Sequence, residues 1–185
     1  MALVIFVAFL AIVVFWVIAV YNGLVGMRNQ VANAWKQIDV QLKRRHDLIP
    51  NLVNTVKGMM KFEQETLTKV MEARAKAVGA TTVAEKGAAE SELGRSLGRL
   101  LAVFENYPDI KSNQNVLRLQ EELTTTENQI GFVRQHYNDL VMRFNTQQQV
   151  FPSNLIAGAF GFQAAEFLEI EAAERVVPKV DLSLS

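Results

Sequence analysis

Cysteine is absent from the 185 residues, which excludes disulfide frameworks, thiol nucleophiles and thiolate metal sites together. Histidine is nearly absent: His46 and His136 stand far apart, neither with a second imidazole at metal-ligand spacing. No HExxH, no GxSxG turn and no phosphate-cradling glycine loop occurs. His136 and Asp139 are three residues apart and could share a metal, but a surface or packing role is the expected one. Adjacent carboxylates such as Glu121 and Glu122 do not face the same way on a helix. Net charge is missing too, with 19 Lys plus Arg against 19 Asp plus Glu. Binding to nucleic acid rests on clustered cations that neutralise phosphates, so nucleic acid is not an expected partner. No cofactor, no metal site and no catalysis are expected.

The most informative absence is local. Residues 1 to 20, MALVIFVAFLAIVVFWVIAV, carry no charge, and the first charged side chain is Arg28. At about 1.5 Å per residue this run matches a hydrocarbon layer about 30 Å thick. Trp16 and Tyr21 suit a headgroup boundary. The competing reading is a cleaved signal peptide, with Val17-Ile18-Ala19 as a weak cleavage site. No basic n-region precedes the run, however, and it exceeds a usual h-region. A single-pass membrane anchor over residues 1–22 is expected. Arg28, Lys36, Lys43, Arg44 and Arg45 follow it while only the α-amino group precedes it, which by the positive-inside rule puts the following domain in the cytoplasm.

Beyond the anchor, apolar residues recur at helical spacing. Leu24, Val31, Trp35, Ile38 and Leu42 predict an amphipathic helix over 24–46 that can run on from the anchor. Gly23 and Gly26 at the junction allow a bend or a close approach of neighbouring helices, and a tolerated glycine pair explains them equally. The stretch RRHDLIP then reads as a corner between helices. Arg44, Arg45 and His46 suit a helix C-terminus, Asp47 an N-cap, and Pro50 the first turn of a new helix, where a missing N–H forfeits no bond. The rival reading of the corner is a basic binding site. Val53, Val56, Met60, Leu67 and Val70 extend the stripe to about Val78. A loop is expected at 79–87, GATTVAEKG, partly helical through its Ala and Glu. A third helix carries Leu93, Leu97, Leu100, Leu101 and Phe104 and stops near Pro108.

The strongest periodicity runs from Val116 through Leu119, Leu123, Thr126, Ile130, Val133, Tyr137 and Leu140 to Phe144. Spacings of three and four alternate without a slip, the 3.5-residue repeat of a coiled-coil seam. Arg118 with Glu122 and Asp139 with Arg143 suit an exposed face. Asn51, Asn54, Asn138 and Asn145 either join a buried polar network or sit on solvated faces. From Phe144 to Ala165 there is no charge, and the segment 151–170 is rich in Phe, with a short helix capped by Ser153. Its apolar part is too short to span a bilayer. It either closes the bundle or offers Phe151, Leu155, Ile156, Phe160 and Phe162, with Gly23 and Gly26, to another copy or to the membrane surface. Residues 171–185 read as a flexible acidic tail.

Together these readings predict an all-α protein: a transmembrane helix, then an antiparallel bundle of about four long helices over 23–150, then a short helix and an extended tail. Several motifs, YNGLV at 21–25, AWKQIDVQLKRRHDLIPNLVNTVKG at 34–58, YPDIKSNQNVLRLQEEL at 107–123 and FPSNLIAGAFGF at 151–162, resemble the bacterial LemA family in order and nearly over the whole chain. That resemblance implies one N-terminal membrane segment and a domain of long antiparallel helices, and it carries no catalytic residues. Some relatives end their hydrophobic start with a lipid-attachment cysteine, which this chain lacks; they would place the domain outside the cytoplasm. The expected function is a membrane-anchored helical scaffold acting through homo-oligomerisation and through contacts with the lipid bilayer or other membrane proteins. The alternative is a small-molecule or lipid binding module with a pocket near Trp35, Tyr107 and Tyr137.

Overall fold

The computed structural model describes residues 1–60 and 63–169. Six helices follow one another: α1 (Ala2–Lys57), α2 (Gln64–Gly79), α3 (Val83–Phe104), α4 (Pro108–Lys111), α5 (Gln114–Gln149) and α6 (Ser153–Ala159). No strand occurs among the described residues, so the fold is all-α with a long apolar N-terminal helix, as the periodicity predicts. The expected tail at 171–185 lies outside the described residues. The chain divides into two compact units, Met1–Arg45 with Leu123–Phe167, and His46–Glu122 with the chain from Leu168. Both α1 and α5 contribute to each.

In the first unit α1 and α5 run antiparallel. Trp35 meets Tyr137, ring centroids 5.2 Å apart, and Arg45 meets Glu127 at 3.0 Å. Leu24, Val31, Ala34, Ile38 and Leu42 of α1 are buried, as are Leu123, Thr126, Ile130, Val133, Tyr137, Val141 and Phe144 of α5. Most of the predicted seam is therefore core, although Leu119 and Leu140 are only half-buried and Val141 is buried beside Leu140; each large apolar side chain removed from water contributes roughly 1.5–3 kcal/mol. Thr126 is fully buried with them.

The second unit packs the last turns of α1 (Leu48, Ile49, Leu52, Val53, Val56) with Leu67, Val70, Ala73 and Ala77 of α2 and Leu93, Leu97, Leu100 and Phe104 of α3. The loop expected at 79–87 is shorter, because Thr82 and Glu85 form a capping box: the Thr82 hydroxyl accepts from the Glu85 N–H, and the Glu85 carboxylate accepts from the Thr82 N–H at 3.1 Å. Two orphan donors are satisfied at once, so α3 starts at Val83. Pro108 opens α4 at its first turn. Asn113 caps α5, its Oδ1 accepting from the N–H groups of Asn115 and Val116.

The corner expected at Arg44, Arg45, Asp47 and Pro50 is absent: α1 runs through it to Lys57 with Pro50 in its interior. Proline at 50 removes the bond that its N–H would give to the His46 carbonyl one turn back, normally a loss of about 3 kcal/mol. Here the Arg74 Nε on α2 donates to that carbonyl at 2.7 Å. Buried Leu48, Ile49, Leu52 and Val53 around the proline hold the helix against α2 and α3. The stripe predicted as continuous to Val78 is two helices instead. It breaks after Lys57 at Gly58, a weak helix former, where the N–H groups of Met59 and Met60 both bond to the Val56 carbonyl.

Candidate membrane-contact site

The segment after α5 builds an aromatic collar around α1 at Tyr21. α6 buries Ser153, Ile156 and Ala157 and ends in a glycine-dependent turn. Gly161 has φ +68°, the Phe162 N–H donates to the Ala157 carbonyl at 3.0 Å, and the Gly161 N–H donates to the Gly158 carbonyl at 3.3 Å. This is the Schellman pattern, which needs a left-handed residue just past the helix end. The turn places Phe160 and Phe162 beside Tyr21, with ring centroids at 4.8 and 5.8 Å. Phe162 also meets Phe144 of α5 edge-on at 6.4 Å, and the Arg28 guanidinium stands 5.6 Å from its ring centroid. Aromatic pairs at these separations add about 0.5–1.5 kcal/mol each beyond their buried area.

From Gln163 to Glu169 the chain has no regular secondary structure and is held along α5 by two side chains. Asn145 brackets the backbone of one residue: its Nδ2 donates to the Ala165 carbonyl at 2.9 Å and its Oδ1 accepts from the Ala165 N–H at 2.8 Å. The Tyr137 hydroxyl donates to the Glu166 carbonyl at 2.8 Å. Burial first, and then the Glu166 carboxylate, push the Tyr137 phenol above its usual range, so it stays a donor at neutral pH.

The predicted contact residues separate into three groups. Phe160 and Phe162 join Tyr21 in the collar, Ile156 is buried beneath α6, and Phe151 (79% exposed), Leu155 (60%) and Phe160 (57%) present apolar surface outward. Gly23 and Gly26 lie within unbroken α1, and among the described residues no atom beyond their chain neighbours and the adjacent backbone of α1 itself comes within 4 Å of where a Cβ would stand on either. Arg44 and Asp47 are exposed on continuous helix.

Arg45 and His46 of the motif are buried in polar pairs, one in each unit. Arg45 bonds Glu127, and His46 Nε2 lies 2.7 Å from Glu90 Oε1 with both side chains about nine-tenths buried. Sequence reasoning missed Glu90 and Arg74 as partners of this stretch, since helical spacing within α1 says nothing about which acid or cation a neighbouring helix presents. A proline four residues after His46 was the available signal for a carbonyl in need of a donor. Of the residues suggested as a pocket, Tyr137 packs on Trp35, while Tyr107 belongs to the second unit, where its hydroxyl reaches Glu63 Oε1 at 3.4 Å. Among the described residues no group of three or more His, Cys, Asp or Glu is placed to hold a metal ion.

A model of the LemA family matches residues 34–182. Protein LemA of Metamycoplasma hominis is 28% identical over 159 residues, covering 84% of this chain and 71% of that protein. Magnetosome protein MamQ 2 of Paramagnetospirillum magneticum is 25% identical over 179 residues, and MamQ of Magnetospirillum gryphiswaldense 22% identical over 179. Each of these two alignments covers 83% of this chain and 66% of the relative, so the chain spans just under two thirds of their length.

Proposed function

We propose, for a chain that belongs to the LemA family, a function without catalysis: α1 anchors it in the inner membrane, and the helical domain acts as a scaffold by associating with further copies of itself. The chain is a membrane-associated helical protein with one helix long and apolar enough to cross a bilayer. The cations that follow the apolar run support a cytoplasmic position for the domain.

The observation that carries self-association is Phe132. It stands 70% exposed in the middle of α5, on a helix whose opposite stripe is core. In the antiparallel register set by Trp35 with Tyr137 and Arg45 with Glu127, residue 132 lies level with residue 40 of α1, and Val40 is 63% exposed. Each is a large apolar side chain on the outer face of its helix, outside the membrane run, and its burial against a second copy is favourable. Anchoring confines copies to one plane and raises their effective concentration, so a small contact suffices.

The absence of cysteine makes the test clean. Phe132→Cys and Val40→Cys, each a lone thiol, are expected to crosslink into dimers and larger species in native membranes, while Lys69→Cys on exposed α2 stays monomeric. Monomer at all three positions, together with monomeric full-length protein after detergent extraction, would remove the scaffold reading. A reporter fused to the C-terminus settles the side of the membrane.

A further inference from the structure

We propose that α6 and its flanking aromatics form a second membrane attachment, a wedge seated among phospholipid headgroups where α1 leaves the bilayer. The inference rests on reading α1 as an anchor. Position is the first argument. Tyr21 directly follows the apolar run and touches both Phe160 and Phe162, so the end of α6 is held at the depth where the anchor emerges from hydrocarbon. Aromatic rings favour that boundary, where one edge is apolar and the other wet.

Exposure is the second argument. α6 buries Ile156 and Ala157 against its own unit, yet Phe151, Leu155 and Phe160 project outward. A short segment that is apolar on both sides needs a second apolar environment, and the nearest one is the acyl boundary beside Tyr21. Charge is the third. No residue from 144 to 165 is ionisable, so no side chain of the wedge resists entry, whereas a Lys or Asp there would. The first cation of the chain, Arg28, contacts Phe162. It lies seven residues beyond Tyr21, about 10 Å further along the helix axis, on the water side of the hydrocarbon layer. Hydrophobic side chains below and a guanidinium above match the layering of a phospholipid leaflet, and a membrane-surface helix uses the same arrangement.

The test uses the full-length protein in vesicles of phosphatidylcholine and phosphatidylglycerol, with a nitrobenzoxadiazole label on single cysteines. Leu155→Cys leaves the ring contacts with Tyr21 in place and Phe160→Cys removes one of them while Phe162 keeps the other; far-ultraviolet circular dichroism verifies that both variants keep their helices. Both labels are expected to emit blue-shifted light and to lose intensity when the lipids carry a nitroxide near the headgroup, and less when it lies near the chain end. A label at Glu65→Cys on α2 is expected to remain unquenched. A label at Val13→Cys reports the anchor itself and is quenched most by the deep nitroxide. If Val13 is quenched while positions 155 and 160 are not, the wedge is refuted and the anchor stands; if Val13 is not quenched, the anchor reading itself has failed. Blue-shifted but lipid-insensitive emission at 155 and 160, with energy transfer between copies, would assign the surface to a second chain and overturn the proposal.

Discussion

Replacing Arg74 tests how α1 passes through a proline without breaking. The Arg74 Nε donates at 2.7 Å to the His46 carbonyl, the group left without its helical partner by Pro50. Arg74→Ala removes a hydrogen bond with a charged donor, worth about 1.5–3 kcal/mol, and leaves a partly buried carbonyl unpaired. A loss of about 2 kcal/mol is expected. Pro50→Ala restores an N–H in register with that same carbonyl. Alanine in a helix interior outranks proline by about 3 kcal/mol, but Arg74 already supplies part of that, and proline restrains the unfolded chain by about 0.4–1 kcal/mol. The net gain for Pro50→Ala is then about 1–2 kcal/mol. In the Pro50→Ala background the carbonyl has a backbone donor, so Arg74→Ala should cost less than about 1 kcal/mol.

The quantity that decides is the coupling in this double-mutant cycle, about 1–2 kcal/mol, which exceeds the roughly 0.5 kcal/mol scatter of independent sites. Urea unfolding of the full-length protein in micelles, followed by circular dichroism, gives each stability by linear extrapolation. Amide exchange across residues 48–56 reports the same helix locally. If Arg74→Ala costs the same in the parent chain as in the Pro50→Ala background, the guanidinium does not serve the freed carbonyl, and the explanation of the continuous helix fails.

The other polar contacts give further expectations. Glu90→Ala leaves the buried His46 imidazole without its hydrogen-bond partner and should destabilise by about 1–3 kcal/mol, while Glu90→Gln, which keeps an acceptor at the same reach, should lose clearly less; equal losses in thermal or urea unfolding would count against a specific pair. Asn145→Ala removes both bonds to Ala165, about 1 kcal/mol each, and should raise hydrogen exchange at Ala165 with little change in the α2–α3 region. Gly161→Ala forces a side chain into the left-handed region at about 1–2 kcal/mol and should loosen Phe160 and Phe162 from Tyr21, read as faster exchange through α6. For Glu85, hydrogen bonds from the Thr82 and Thr81 N–H groups hold the carboxyl below its ordinary 4.5. A folded value below the unfolded one means its stabilisation is complete above about 4.5 and is lost as pH falls through the folded value. Fraying at the start of α3 should therefore appear in that acidic range, and Glu85→Gln should flatten the dependence.

How far the sequence carries can be seen from residue pairs. The seam from Val116 to Phe144 was legible because burial on a helix imposes a period, and a period survives without knowledge of the partner. The capping box at Thr82 and Glu85 was within reach for the same reason, both ends lying one turn apart. What was not legible involved distance along the chain: Arg74 with the carbonyl before Pro50, Glu90 with His46, Asn145 with Ala165. Local rules placed Asp47 and Pro50 at a helix start because those residues commonly sit there. A donor from another helix reversed that preference, and no short-range pattern encodes such a donor. The collar is intermediate. Tyr21 was placed at the membrane boundary and the Phe-rich segment was marked as apolar, but only the turn at Gly161 brings the two together.

The use of the α5 seam within the chain also limits where assembly can occur. Because Leu123, Ile130, Val133, Tyr137 and Phe144 are already buried against α1, a second copy cannot pack on that stripe without opening the first unit, which would expose several side chains worth roughly 1.5–3 kcal/mol each. The proposed self-association would therefore use the outer faces, where Phe132 and Val40 stand, and these lie well beyond the collar at Tyr21. Surface for copies and surface for lipid are thus separated along α1, so Phe132→Asp should abolish crosslinked oligomers without changing nitroxide quenching at Leu155. Loss of both together would mean that a single interface serves both contacts.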